Sequence, residues 1–118
     1  MPDLSELLER VEKAEGQNFE IDEDVWIACL GERSDGLAYH DFMPSVTQSL
    51  DAVVGLIEKE MPTAFWAIMM RGRTRGEYQA CCMDKGDGHM TLIDGRTPAL
   101  TLLAAFLRAK IEMEAENA

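Results

Sequence analysis

From Leu4 to Cys29, from Leu50 to Met61, and again after Thr97, apolar side chains return every three or four positions. Between residues 64 and 93 they return every second one. The first spacing lines one face of an α-helix and the second one face of a strand. Leu4, Leu7, Leu8 and Val11 predict a first helix, opened by Asp3 with Glu6 three residues on and stopped at Gly16. Glu6 with Arg10 and Glu9 with Lys13 add pairs at the favourable four-residue spacing. Asn18 is placed to cap a second helix whose face is Ile21, Val25, Ala28 and Cys29, ending at Gly31. Ser49 caps a third, with Asp51 in its first turn, a stripe of Leu50, Val53, Val54, Ile57 and Met61, and Pro62 to close it. Gly55 inside that stripe costs about 1 kcal/mol relative to alanine, which points to close packing against another element. Thr97 and Pro98 make a strong helix start. Leu100, Leu103 and Leu107 then lie beside a second stripe of Leu102, Phe106, Ala109 and Met113, an apolar face wide enough for the centre of the core.

The alternating stretch predicts three strands, Ala64–Met70, Glu77–Met83 and His89–Ile93. The loops Arg71–Gly76 and Asp84–Gly88 join them as a meander, and Asp94-Gly95 turns the chain into the last helix. Phe65, Trp66, Ile68 and Met70 make the first strand apolar on both faces, the pattern of a strand covered from both sides. Residues 31–48 are less regular. Ser34, Asp35 and Gly36 mark a turn, and Leu37–Phe42 and Pro44–Thr47 are candidate short edge strands. The expected architecture is one domain spanning residues 1–118. It is an α+β three-layer alpha-beta-alpha sandwich of about four helices around a short antiparallel sheet of three or more strands.

Charge sharpens this picture. The 118 residues carry a net charge of −11. Residues 1–60 hold 15 acids against 4 bases, and residues 61–118 hold 7 of each, so the whole excess lies in the front half. Such a field repels polyanions and makes nucleic acid an unfavourable partner. No apolar run approaches the ~20 residues that span a bilayer, and the charged N-terminus does not read as a secretory signal. Cys29, Cys81 and Cys82 are an odd count with one adjacent pair, not a disulfide framework, which fits a reduced, cytoplasmic protein.

No nucleotide-binding, hydrolase or zinc motif occurs, and His40 and His89 lack ligand spacing around them. Tyr39, His40 and Asp41 are adjacent, but adjacency does not make a triad. The expectation is therefore a non-enzymatic chain with no catalytic residue, metal or cofactor. Two clusters are candidate interaction sites. Arg71, Arg73 and Arg75 sit among glycines in the first hairpin loop, suited to phosphate or carboxylate groups or simply to protecting a sheet edge. Glu20, Asp22, Glu23 and Asp24 crowd the start of the second helix, where the helix dipole favours negative charge. Their opposite signs also fit a contact between copies in a homo-oligomer.

Three blocks carry a resemblance that spans nearly the whole chain. They are Leu7-Leu8-Glu9-Arg10 through Lys13-Ala14-Glu15-Gly16, then Ser49-Leu50-Asp51-Ala52 leading to a strand with Trp66, then Arg96-Thr97-Pro98-Ala99-Leu100-Thr101-Leu102 through Ala104, Ala105, Leu107 and Arg108. In this order the chain resembles the phage alpha-beta-alpha sandwich domain of small bacteriophage and prophage proteins. Residues 31–43, 71–76 and 84–88 depart from that pattern. The resemblance implies the sandwich fold and a phage or prophage origin. It implies no activity and no site residues. The function expected is that of a small phage accessory protein binding a host or phage protein in the host cytoplasm, by way of the acidic cluster or the arginine loop. The alternative is a ligand- or nucleic-acid-binding module built on the Arg71–Arg75 loop and the helix, three strands and helix from residue 49 onward.

Overall fold

Short polar side chains start each helix, as their spacing predicts. In the computed structural model, which describes residues 3–70, 78–83 and 92–116, the Asp3 carboxylate accepts the Ser5 N–H at the head of α1, Leu4–Lys13. Asn18 accepts the Ile21 N–H and opens α2, Phe19–Leu30, which ends at Gly31 with φ 90°. Ser49 accepts the Ala52 N–H and opens α3, Leu50–Glu60. Thr97 accepts the Leu100 N–H ahead of α4, Pro98–Glu116.

The strands are β1, Phe65–Met70, β2, Tyr78–Met83, and β3, Ile93–Gly95. They form one antiparallel sheet in the order β1-β2-β3, with Ala67 opposite Cys81 and Gln79 opposite Asp94. Among the described residues, four helices and a three-stranded antiparallel sheet make the α+β fold expected from the spacing. α4 is its axis. The sheet packs on it chiefly through β2 and β3, and α1 and α3 pack on it as well. Ala99 through Leu107 are therefore all buried, including the polar Thr101. Leu7 and Val11 from α1, Val25 from α2, and Val53 and Ile57 from α3 join Leu102, Phe106 and Leu107 in a single core.

Four expectations change. β1 is not buried on both faces: Trp66 and Ile68 turn to the core, while Phe65 and Met69 are more than half exposed. The third strand falls later than its pattern suggests, because Asp94 and Gly95 are not a turn but pair with Gln79 and Tyr78. Glycine suits this spot, since a Cβ on Gly95 would strike the Thr101 side chain and lie 3.0 Å from its Cα. Gly55, by contrast, marks no close approach, as a Cβ there meets nothing within 4 Å.

Finally, residues 37–47 form no strand. Tyr39–Asp41 is a 3-10 turn, and Ser45 to Ser49 is a hydrogen-bonded turn. The cause lies in α2. Its carboxylates take the backbone N–H groups that a neighbouring strand would otherwise have to satisfy: Glu23 those of Tyr39 and His40, and Asp22 that of Thr47. The expected strand residues His89–Thr91 and the turns 71–76 and 84–88 lie outside the described residues. Among the described residues, no helix is long and apolar enough to cross a membrane.

Candidate binding groove

The acidic run at the start of α2 looks like one patch in sequence, and the helix divides it. Asp22 points inward and is 1% exposed. Its carboxylate accepts the Thr47 N–H at 2.9 Å, the Thr47 hydroxyl at 2.8 Å and the Ser45 hydroxyl at 2.7 Å. Trp26, one helical turn on, is buried beside it and donates its indole N–H to the Pro44 carbonyl. Together they pin the 44–48 turn to α2. Asp22 thus has structural work and no surface to offer a partner.

The next two acids hold neighbouring elements. Asp24 pairs with Arg10 of α1, so Arg10 reaches across to α2 as well as lying one turn from Glu6. Glu23 receives the N–H groups of Tyr39 and His40 at 3.0 and 2.9 Å, and His40 Nδ1 lies 3.0 Å from Glu23 Oε1. Burial pushes the Glu23 carboxyl up, but the hydrogen bonds from His40 and Tyr39 outweigh it and hold the group below its ordinary value. Glu20 remains exposed at the rim.

Between these anchors lies a recess of about 420 Å³ lined by Arg10, Phe19, Glu20, Glu23, Asp24 and His40. Across the Arg10–Asp24 bridge a second recess of about 290 Å³ opens toward Asp3, Glu6 and Glu32. The Phe19 ring is 56% exposed and stands 5.9 Å from the His40 ring, tilted by 38°. Next to it the 31–43 segment makes an aromatic shelf. Arg33, tied to Asp35, sits 5.3 Å from the Tyr39 ring centroid and 4.6 Å from that of Phe42. Leu37 and Phe42 are more than half exposed there.

Comparison with family models, curated proteins and solved structures matches this chain to none of them.

Glu23 is a carboxylate whose lone pairs are already engaged by three donors, which leaves it poorly placed as a general base. Burial, with Glu60 nearby, pushes the Cys29 thiol up to about 12, so it is not a thiolate nucleophile at neutral pH. Among the described residues, no three His, Cys, Asp or Glu side chains gather to hold a metal ion. An exposed aromatic face flanked by carboxylates does suit a cationic side chain, through charge and through the ring itself. Arg71, Arg73 and Arg75, the other candidate cluster, lie outside the described residues. The aromatic shelf gives little sign in sequence, because Phe19, Leu37 and Phe42 follow no common period.

Proposed function

We propose that this chain is a protein-binding module, a small phage or prophage accessory protein that seats an arginine or lysine of a host or phage protein in the α1–α2 groove. The observation that carries the reading is the exposed Phe19 ring beside the exposed Glu20, at the mouth of a recess whose other lining residues are held in two pairs, Arg10 with Asp24 and His40 with Glu23. The net charge of −11 supports it by drawing a basic partner in. The phage assignment, and with it a host cytoplasmic location, rests on the family resemblance. The nucleic-acid alternative keeps the order α3-β1-β2-β3-α4 in its favour. Against it, each of the four described arginines is already paired: Arg10 with Asp24, Arg33 with Asp35, Arg96 with Glu15 and Arg108 with Glu112.

The test is an NMR titration with short acetylated peptides containing arginine, lysine or glutamate. Saturable shifts at Phe19–Asp24 and Tyr39–Asp41 with the cationic peptides are expected. They should weaken severalfold between about 0.05 and 0.5 M salt and vanish in a Phe19→Ala, Glu20→Gln variant. Equal shifts with the glutamate peptide, or binding indifferent to salt, would overturn the proposal.

A further inference from the structure

We infer that β1 is a self-pairing edge, through which two copies of this chain join their sheets into one six-stranded antiparallel sheet about a two-fold axis at Ala67. β1 ends the sheet and, among the described residues, is paired on one side alone. Edge strands are ordinarily guarded by charge, proline, a bulge or brevity. Phe65-Trp66-Ala67-Ile68-Met69-Met70 is six residues long with neither charge nor proline, and its ladder to β2 is continuous without a bulge. Phe65, Met69 and Met70 are 55%, 52% and 62% exposed, so the apolar surface at this edge faces water.

What fits this edge is β1 itself. Opposed residues of an antiparallel pair point to the same face of the sheet, so a two-fold axis must pass through a residue for the faces to match. Centred on Ala67, it sets Phe65 against Met69 of the second copy, and Met69 against its Phe65. A bulky ring then meets a thioether on either side of the small Ala67 pair. On the core-facing side, Trp66 meets Ile68 of the second copy, and Met70 covers its Ala64. Centring the axis on Ile68 instead leaves Phe65 with no residue of β1 opposite. Because α4 lies chiefly over β2 and β3, the approach to β1 is not filled by the helix.

The size of the contact says how firmly it holds. Side chains of this kind carry on the order of 200 Å² each. Half-exposed Phe65, Met69 and Met70 from two copies therefore bury on the order of 600 Å², beside the backbone ladder. That is below the ~1,200 Å² of standard interfaces, in the range of contacts that form and dissociate with concentration. Each copy also carries −11, so screening should strengthen the dimer. The groove contact has the opposite salt dependence, and the two proposals fail separately.

The experiment is sedimentation equilibrium of the full chain from about 10 μM to about 1 mM, at low and high salt. The wild type should pass from monomer to dimer, and more readily at high salt. Phe65→Lys and Met69→Lys, both at exposed positions and checked for native circular dichroism, should weaken the dimer at least tenfold. Phe65→Lys combined with Met69→Glu places opposite charges against each other across the axis and should restore it. A wild type that stays monomeric, or a dimer untouched by the single variants, would overturn the inference. Loss in the single variants without recovery in the double would overturn the Ala67 register.

Discussion

Asp22 is the residue on which the most local structure depends. It lies in the first turn of α2, where the helix dipole favours a carboxylate, yet it is buried and spends its oxygens on a segment some 25 residues away. Removing it leaves the Thr47 N–H and the Ser45 and Thr47 hydroxyls without their acceptor in a site with little water. A buried donor left unmatched costs about 1–3 kcal/mol, so Asp22→Ala should lower stability by about 3 kcal/mol in urea unfolding. Asp22→Asn should fall between, because its amide oxygen still accepts the Thr47 N–H while its NH2 group faces donors. Glu20→Gln, a neighbouring acid at the exposed rim, should leave the urea midpoint nearly unchanged and serves as the control.

At the scale of elements, what could be read from the chain and what could not follow from the range of the interactions. Asp3, Asn18, Ser49 and Thr97 cap helices through bonds to N–H groups two or three residues on, so short windows of sequence contain their whole cause. The 37–47 segment is apolar enough to suggest strands, but its hydrogen bonds go to Asp22 and Glu23, and no local pattern announces that. The short apolar run at β1 correctly gives a strand, but it suggests cover on both faces, and which face meets the core depends on where α4 lies. In the groove, the acids were visible as a run, and only the turn of the helix shows that one is internal, two are anchors and one is free to meet a partner. The Glu23 anchor makes the 3-10 turn sensitive to acid. Its folded carboxyl titrates below the ordinary value of 4.5. The stabilisation is therefore complete above that value and is lost as pH falls below it, through the folded pKa. The Tyr39 and His40 amide resonances should move toward unfolded positions as pH drops below about 4.5, ahead of those in α4. In Glu23→Gln they should already be less protected at neutral pH, with the acid step gone.

For the whole molecule, the arrangement around α4 decides how it comes apart. The sheet, α1 and α3 meet on this one helix, and Phe106 lies in its middle with no exposed surface. Truncating a buried phenylalanine to alanine costs about 3–5 kcal/mol, a large part of the 5–15 kcal/mol that holds a typical domain together. Two tryptophans report from different elements of one core: Trp66 from β1, and Trp26 from α2, where it is tied to the Pro44 carbonyl. α2 rests mainly on α1 and on the 3-10 turn, but Lys110 of α4 also reaches Glu60 of α3, beside Cys29 of α2, binding three helices at one junction. β1 and α2 are thus joined through α4 and should unfold as one. In Trp26→Phe and Trp66→Phe backgrounds, Phe106→Ala should shift both fluorescence transitions in urea by the same amount, in step with far-ultraviolet circular dichroism. A Trp26 transition that stays in place while that of Trp66 moves would mean that α2 and its groove hold together without the core. Run at dilute protein, where the β1 edge is unpaired, the comparison measures the single chain alone.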